Sequence, residues 1–177
     1  MSTEIVHPPK TIMEAYQSLP EGTLAELIDN AIIMSPAPTP RHQIVLIDLV
    51  VELRSVMKKH GGEVFVAPVD VHLDDKSNAV QPDITVILKH NMSIVNLKER
   101  INGVPDMLIE ILSPGNPKHD QVTKKRLYER FRVKEYWIVN PETKDTTGYK
   151  LVNRSFELLT SSQSVINSPL LGVEFKF

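Results

Sequence analysis

The chain has 177 residues, of which 41% are hydrophobic and 24% are charged, as is ordinary for a one-domain globular protein. Because it has no cysteine, disulfide scaffolds and cysteine-ligated zinc or iron–sulfur sites are excluded. The formal net charge of −2 argues against a broad nucleic-acid-coating surface, but not against a local basic groove. No apolar run approaches membrane-spanning length, and residues 1–10 lack the apolar core of a signal peptide. We therefore expect a cytoplasmic protein without membrane contact.

The N-terminal third predicts a short helix followed by a β-hairpin. Residues 1–10 are polar with paired prolines, which is typical of a loose end. Thr11 and Glu14 match a capping box, so a helix should start there and end before Pro20. Residues 24–28 and 31–34 predict two strands joined at Asp29-Asn30. Glu26 stands between apolar neighbours on the first strand, and this alternation favours an outward-facing polar residue.

A long helix should follow a proline-rich loop. Proline at every second position of residues 35–40 enforces extended backbone. Thr39 then suits an N-cap with Pro40 as first helical residue, and Gly61-Gly62 marks the end near residue 60. The apolar stripe predicts packing on a sheet; it comprises Val45, Leu46, Leu49, Leu53, Val56 and Met57. His42 extends this stripe, where a histidine is more often a capping or core residue than a ligand.

The remaining segments predict a mixed β-sheet in one domain. Residues 63–71 indicate a strand broken or bent at Pro68, and residues 81–88 a strand with Asp83 at its entrance. Residues 89–103 form a linker with a helical turn expected around 94–100. Residues 146–152 and 156–159 predict a hairpin, and 173–177 a last strand. Several strands with two substantial helices indicate an α/β or α+β fold.

Residues 104–140 hold the most informative pattern, which predicts strand, turn, helix and strand. The first strand, residues 107–112, is apolar on both faces, as in a buried central strand, and carries Glu110. The helix has an apolar stripe at Leu127, Tyr128 and Phe131. Counting back by four and three residues, that stripe includes Lys124 and Asp120. Since an unpaired buried charge is very costly, these charges should have partners.

Asp83, Glu110 and Lys124 together suggest metal-assisted phosphodiester hydrolysis. If the two strands are neighbours, both carboxylates can point to one end of the sheet, where a cation would relieve their repulsion. Oxygen ligands suit Mg²⁺ or Mn²⁺ better than zinc. A nearby lysine could orient a water or stabilise developing negative charge.

Each of these residues also has a structural interpretation. Glu110 and Lys124 could form a buried ion pair without a catalytic task, and Asp83 could merely begin a strand. Asp120 equally suits the acidic first turn of a helix. Tyr136 and Trp137 suit the core. A basic cluster is more typical of a solvated face, although it could contact phosphates; its members are Lys118, His119, Lys125, Arg126, Arg130, Arg132 and Lys134.

Several motifs across nearly the whole chain resemble a known family. They are A-E-L-I-D-N near residue 25, M-S-P-A-P before His42, Q-P-D-I at 81–84, I-E-I-L-S-P at 109–114 and the final V-K-E-Y-W-I-V-N-P. With the spacing of Asp120, Lys124 and Tyr128, the sequence resembles Uma-type restriction endonucleases, a domain-of-unknown-function group in the PD-(D/E)XK nuclease superfamily. The resemblance implies a single domain over residues 1–177, with a mixed sheet flanked by helices. It also implies a magnesium-dependent endonuclease that acts on DNA as a homodimer.

The resemblance also assigns site residues. It implies a divalent metal held by Asp83, Glu110 and the backbone carbonyl of Ile111, with Glu26 as an additional acidic catalytic group. The superfamily motif places lysine two residues after the second acid, where this chain has Leu112. The resembled family uses a lysine of the following helix instead, which matches Lys124. Two alternatives stay open: a catalytically silent nucleic-acid-binding or regulatory module, and a metal-independent two-carboxylate glycosidase, which Lys124 suits poorly.

Overall fold

The computed structural model describes residues 8–113 and 119–177, except for the side chains of Asp120 and Thr160. The expectations for residues 1–7, for Lys118 and for the Asp120 side chain therefore lie outside the described part. Within it, the α-helices are α1 Ile12–Gln17, α2 Pro40–His60 and α3 Lys125–Arg130. A 3-10 helix spans Lys89–Ile94, and a π-helical segment spans His119–Lys124 directly before α3. No helix of the described residues is both long and apolar enough to cross a membrane.

The strands form three sheets. Their bounds are β1 Ala25–Ile28, β2 Ala31–Met34, β3 Glu63–Val66, β4 Val71–His72, β5 Ala79–Val80, β6 Ile84–Ile87, β7 Ile101–Asn102, β8 Met107–Ile111, β9 Glu135–Val139, β10 Asp145–Val152, β11 Ser155–Gln163, β12 Val165–Ser168 and β13 Val173–Lys176. The central sheet has the order β11-β10-β9-β8-β6-β3, the N-terminal sheet β2-β1-β5-β4-β7, and β12 pairs with β13. In the central sheet β8 and β9 are parallel and the other neighbours antiparallel. The predicted mixed sheet flanked by helices, with its N-terminal β-hairpin, is confirmed.

Helices cover both faces of the central sheet. The apolar stripe of α2 packs on one face, where it meets Met107, Ile109 and Ile111 of β8. Leu127 and Tyr128 of α3 pack with Leu108 on the other face. Because side chains alternate along a strand, Glu110 belongs to the face that carries α3. This alternation brings a carboxylate of the central strand towards the π-helical segment.

The ends of the helices follow the predicted chemistry. The Thr11 hydroxyl accepts a hydrogen bond from Glu14 N at 3.1 Å, and that of Thr39 accepts one from His42 N at 3.2 Å. Gly61 ends α2 in the left-handed region with φ of 73°. Since only glycine enters this region without strain, the predicted stop at Gly61 has a clear cause.

One local prediction was wrong, and one strand was missed. The helical turn expected around residues 94–100 is instead the 3-10 helix Lys89–Ile94. Asp106 determines this position, because its Oδ2 accepts hydrogen bonds from Leu88 N at 2.9 Å and Asn91 Nδ2 at 3.1 Å. The strand β12 was not predicted, because V-I-N-S has too few apolar residues for a periodic signal.

Candidate active site

A cleft of about 670 Å³ is lined by residues next to the starts of β1 and β6, at the end of β2, at the start of α2, at the end of β8 and in the π-helical segment. Its polar lining, which we call the floor, comes from distant parts of the sequence: His42, Gln81, Asp83, Glu110, His119 and Lys124. The structure thus brings together Asp83, Glu110 and Lys124, the three residues that the sequence singled out. Ile111 also lines the cleft.

Asp83 is held by two groups on the same oxygen. The antiparallel pairing of Ile84 with Ile109 places Asp83 beside the C-terminal end of β8. Its Oδ2 accepts a hydrogen bond from Ile111 N at 2.7 Å. The same oxygen lies 3.1 Å from His42 Nε2. His42 is therefore a buried partner of Asp83 at 4% exposure, beyond the capping role that its position predicted.

Lys124 bridges two buried carboxylates. Its Nζ lies 3.0 Å from Glu110 Oε1 and 3.0 Å from Glu26 Oε1. Lys124 is 6% exposed and the two glutamates no more than 2%. The prediction that the buried charges of this stretch have partners is confirmed for Glu110 and Lys124. This contact fits a buried ion pair without a catalytic task. It also fits a catalytic site, because Lys124 and Glu110 line the cleft.

The expectation that Glu26 faces outwards was wrong. Helix α1 covers the face of β1 that carries Ala25 and Leu27, and the π-helical segment covers the opposite face. Glu26 Oε1 accepts a hydrogen bond from Gln81 N at 3.0 Å, and His119 Nε2 lies 3.2 Å from Oε2. Burial alone would raise the pKa of Glu26, but the Lys124 charge and these hydrogen bonds lower it to about 2. Glu26 is thus an ionised component of the site.

Tyr128 completes the surroundings of Glu110. Its hydroxyl donates to Glu110 Oε1 at 2.7 Å, and burial followed by the charge of Glu110 raises the pKa of this tyrosine well above its usual value. The phenol is therefore a permanent donor. Sequence reasoning had assigned Tyr128 to the apolar stripe and His119 to a basic surface cluster. The available signal was spacing, since Tyr128 follows Lys124 by one helical turn.

The donor set of the cleft suits a hard divalent cation. The charged side chains that line it, among described residues, are two carboxylates and one lysine, so its formal charge is −1 with neutral histidines. Asp83 and Glu110 offer oxygen ligands at adjacent strand ends. No group of three or more histidine, aspartate and glutamate side chains in the described part is placed to hold a metal. Backbone oxygen and water would have to complete the ligand set, as is usual for Mg²⁺, which keeps several waters.

The basic cluster is dispersed in the fold. Lys134 pairs with Asp106 at 2.6 Å, and Arg130 pairs with Asp29. Lys125 lies over the Tyr149 ring, 3.9 Å from its centroid. None of these three cations lines the cleft. Of the described cluster members, His119 alone reaches the cleft, so the solvated-face interpretation fits the others better than a phosphate-binding one.

Comparison with known proteins places this arrangement in a class. A crystal structure from Anabaena variabilis ATCC 29413, described as a putative nuclease belonging to DUF820, aligns with a TM-score of 0.75 over 95% of each chain. At 19% sequence identity this likeness concerns the fold. A search of curated proteins found no match. The chain thus shares the α+β fold of that protein, with acidic and lysine side chains in its own cleft.

The sequence defines the family more closely. The Uma2 family model, described as "Putative restriction endonuclease", matches residues 13–176. The chain belongs to the Uma2 family. The resemblance predicted from motifs is therefore confirmed, and family and fold together support a nuclease function.

Proposed function

We propose that the protein is a metal-dependent endonuclease that hydrolyses phosphodiester bonds in DNA. The observation that carries this proposal is the convergence of Asp83, Glu110 and Lys124 on one cleft. Its formal charge of −1 among the described residues would repel a phosphate. A divalent cation bound by the two carboxylates would reverse this sign, so the composition of the site favours catalysis that depends on a metal.

Asp83, Glu110 and the backbone carbonyl of Ile111 are the proposed ligands of Mg²⁺ or Mn²⁺. When bound, such an ion polarises a phosphate and lowers the pKa of a water molecule. The hydrogen bond from Ile111 N and the contact with His42 fix the orientation of Asp83. The hydroxyl of Tyr128 does the same for Glu110. The protein thus holds both carboxylates in place before substrate arrives, which reduces the reorganisation needed for reaction.

Lys124 is the proposed catalytic lysine. In the proposed reaction a water oxygen attacks phosphorus, one backbone P–O bond breaks, and the leaving sugar oxygen takes up a proton. The Lys124 ammonium orients this water or stabilises the negative charge that develops on the phosphate. Glu26 Oε1 lies 3.0 Å from Lys124 Nζ and supports this position together with Glu110. Glu26 therefore belongs to the proposed catalytic group.

Plasmid cleavage tests the proposal. We expect wild-type protein to nick or linearise DNA with Mg²⁺ or Mn²⁺ and to lose this activity in EDTA. Asp83→Asn and Lys124→Ala should each abolish cleavage, whereas Lys125→Ala, which changes a lysine outside the cleft, should not. Activity that survives both site substitutions or ignores EDTA would refute the site. Inactivity on many substrates together with no metal binding would favour the silent binding module.

We further propose that two copies act together, because cutting both strands of a duplex favours paired sites. Sedimentation velocity with and without a DNA duplex measures this directly. We expect the mass of a homodimer; a monomer in both conditions would contradict the proposal without affecting the single-site chemistry.

A further inference from the structure

Apolar residues also line the cleft, and we call them the apolar wall. They are Ile33 and Met34 at the end of β2, Pro36 and Pro38 of the following loop, and Pro68 before β4. Met34 is 63% exposed, so its side chain is accessible to a ligand in the cleft. The wall lies in the same cleft as Asp83 and Glu110, so a ligand of the catalytic floor would contact it.

The cleft carries little of what a duplex backbone requires. Lys124 is its only lysine or arginine among the described residues, and this ammonium is already paired with two carboxylates. A groove that follows the backbone of nucleic acid needs a row of cations, because each phosphate contact depends on charge neutralisation. The described part of the cleft therefore suits one phosphate held through a metal ion, with apolar residues beside it for an uncharged group.

The volume suits a nucleotide. About 670 Å³ lies within the range of roughly 300–1,000 Å³ typical of small-ligand sites. A base inside a duplex is stacked and cannot reach such a pocket, so it would have to be unpaired or leave the stack. The exposed Gln43 also lines the cleft and offers amide groups that can hydrogen-bond to the edge of a base.

We infer that the cleft binds an unpaired nucleotide, with its base against the apolar wall and the neighbouring phosphate at the floor. This inference rests on the proposed nuclease function and deepens it, because it specifies the preferred position of cleavage in DNA: a nucleotide that is unpaired or leaves the stack. The wall gives affinity through apolar contact, and it selects against fully paired DNA because pairing keeps the base out of the cleft.

A binding experiment tests the wall without requiring cleavage. The probe is a single-stranded oligonucleotide with one 2-aminopurine, whose fluorescence reports the environment of the base, titrated in Ca²⁺. We expect Met34→Ala to weaken binding about fivefold, the loss expected for part of a buried apolar side chain. Met34→Leu should restore most of it. Leu158→Ala is the matched control, because Leu158 is 61% exposed and lies outside the cleft. Equal binding by Met34→Ala and Leu158→Ala would overturn the inference.

A cleavage experiment separates this inference from the proposed function. Two duplexes of the same sequence, one fully paired and one with a central unpaired bulge, are incubated with Mn²⁺. We expect cleavage beside the bulge to be about tenfold faster than in the paired duplex. The reason is that a paired base must first be unstacked, which costs a few kcal/mol. Equal cleavage of both would overturn the inference while leaving the nuclease function intact. If neither is cut, the nuclease function fails, and the oligonucleotide titration alone decides whether the wall binds a base.

Discussion

At the scale of single residues, the buried Lys124 is both a structural and a functional element. Its ammonium stands between Glu26 and Glu110, each 3.0 Å away. Such a charge is retained in a core only with partners, and its loss leaves the partners without compensation. A purely structural ion pair could have been replaced by apolar packing, whereas a lysine that also lines a cleft has a reason to remain charged.

We predict that Lys124→Ala lowers the free energy of unfolding by about 3 kcal/mol, the usual cost of breaking a buried ion pair from one side. Urea denaturation at neutral pH measures this. Lys125→Ala removes a neighbouring lysine that contacts only the Tyr149 ring among the contacts described, and it should change stability much less. Equal effects of the two substitutions would show that the Lys124 pairs contribute nothing.

Glu26 gives the molecule a predictable pH dependence. Its pKa falls from 4.5 in the unfolded chain to about 2 in the folded protein. Its ionised form therefore stabilises the native state at pH values above 4.5. This contribution should be lost as pH falls from about 5 to about 2, because the unfolded chain takes up the proton first. In Glu26→Gln the loss of stability over this range should be smaller than in the wild type. Glu21→Gln, an exposed neighbour, should behave like the wild type; parallel curves for Glu26→Gln and wild type would contradict the assignment.

The two residues also show what a sequence can reveal. The helical stripe predicted Lys124 because its neighbours Leu127 and Tyr128 define the buried face locally. Alternation in β1 predicted the wrong side for Glu26, because the segment that covers it begins 93 residues further along the chain, at His119. Local periodicity reports which side chains share a face, and only the tertiary fold decides whether that face is covered.

At the scale of elements, the first turn of α2 links a helix cap to the site. Thr39 caps the helix, and His42, whose N–H it accepts, carries the ring that contacts Asp83. The cap therefore fixes the backbone that positions a proposed metal ligand. Elements of this kind were predictable because capping and proline chemistry act within a few residues.

We predict that Thr39→Ala lowers the free energy of unfolding by about 1 kcal/mol, the typical value of an N-cap. Thr39→Ser keeps the hydroxyl and should stay close to the wild type. Thermal or urea unfolding of the three proteins distinguishes them, and an unchanged Thr39→Ala would mean that the hydroxyl is not a cap in solution.

The form of the π-helical segment could not be predicted from the local sequence pattern. The π-helical segment His119–Lys124 was expected as ordinary α-helix, and its position coincides with contacts to Glu26 and Glu110. The widened turn carries both His119 and Lys124 to β1 and β8. Because these contacts come from distant strands, helical periodicity could predict which residues lie there but not the form of the backbone.

At the scale of the whole molecule, the site exists only through the topology of the mixed sheet. Asp83 and Glu110 meet because β6 and β8 pair in antiparallel register, a neighbour relation that the sequence left conditional. The parallel pair β8 and β9 requires a crossover, and that crossover includes the π-helical segment and α3 with Lys124 and Tyr128. The crossover that places β8 next to β9 therefore also places Lys124 beside Glu110.

Titration of the intact protein with Mn²⁺ by isothermal calorimetry tests most directly whether Asp83 and Glu110 form a metal site. Asp83→Asn removes one proposed ligand while keeping the shape of the side chain, and Asp75→Asn changes an exposed aspartate outside the cleft. We predict a single class of binding site in the wild type and in Asp75→Asn, and loss of that binding in Asp83→Asn. Wild-type affinity for Mn²⁺ in Asp83→Asn would contradict the proposed metal centre.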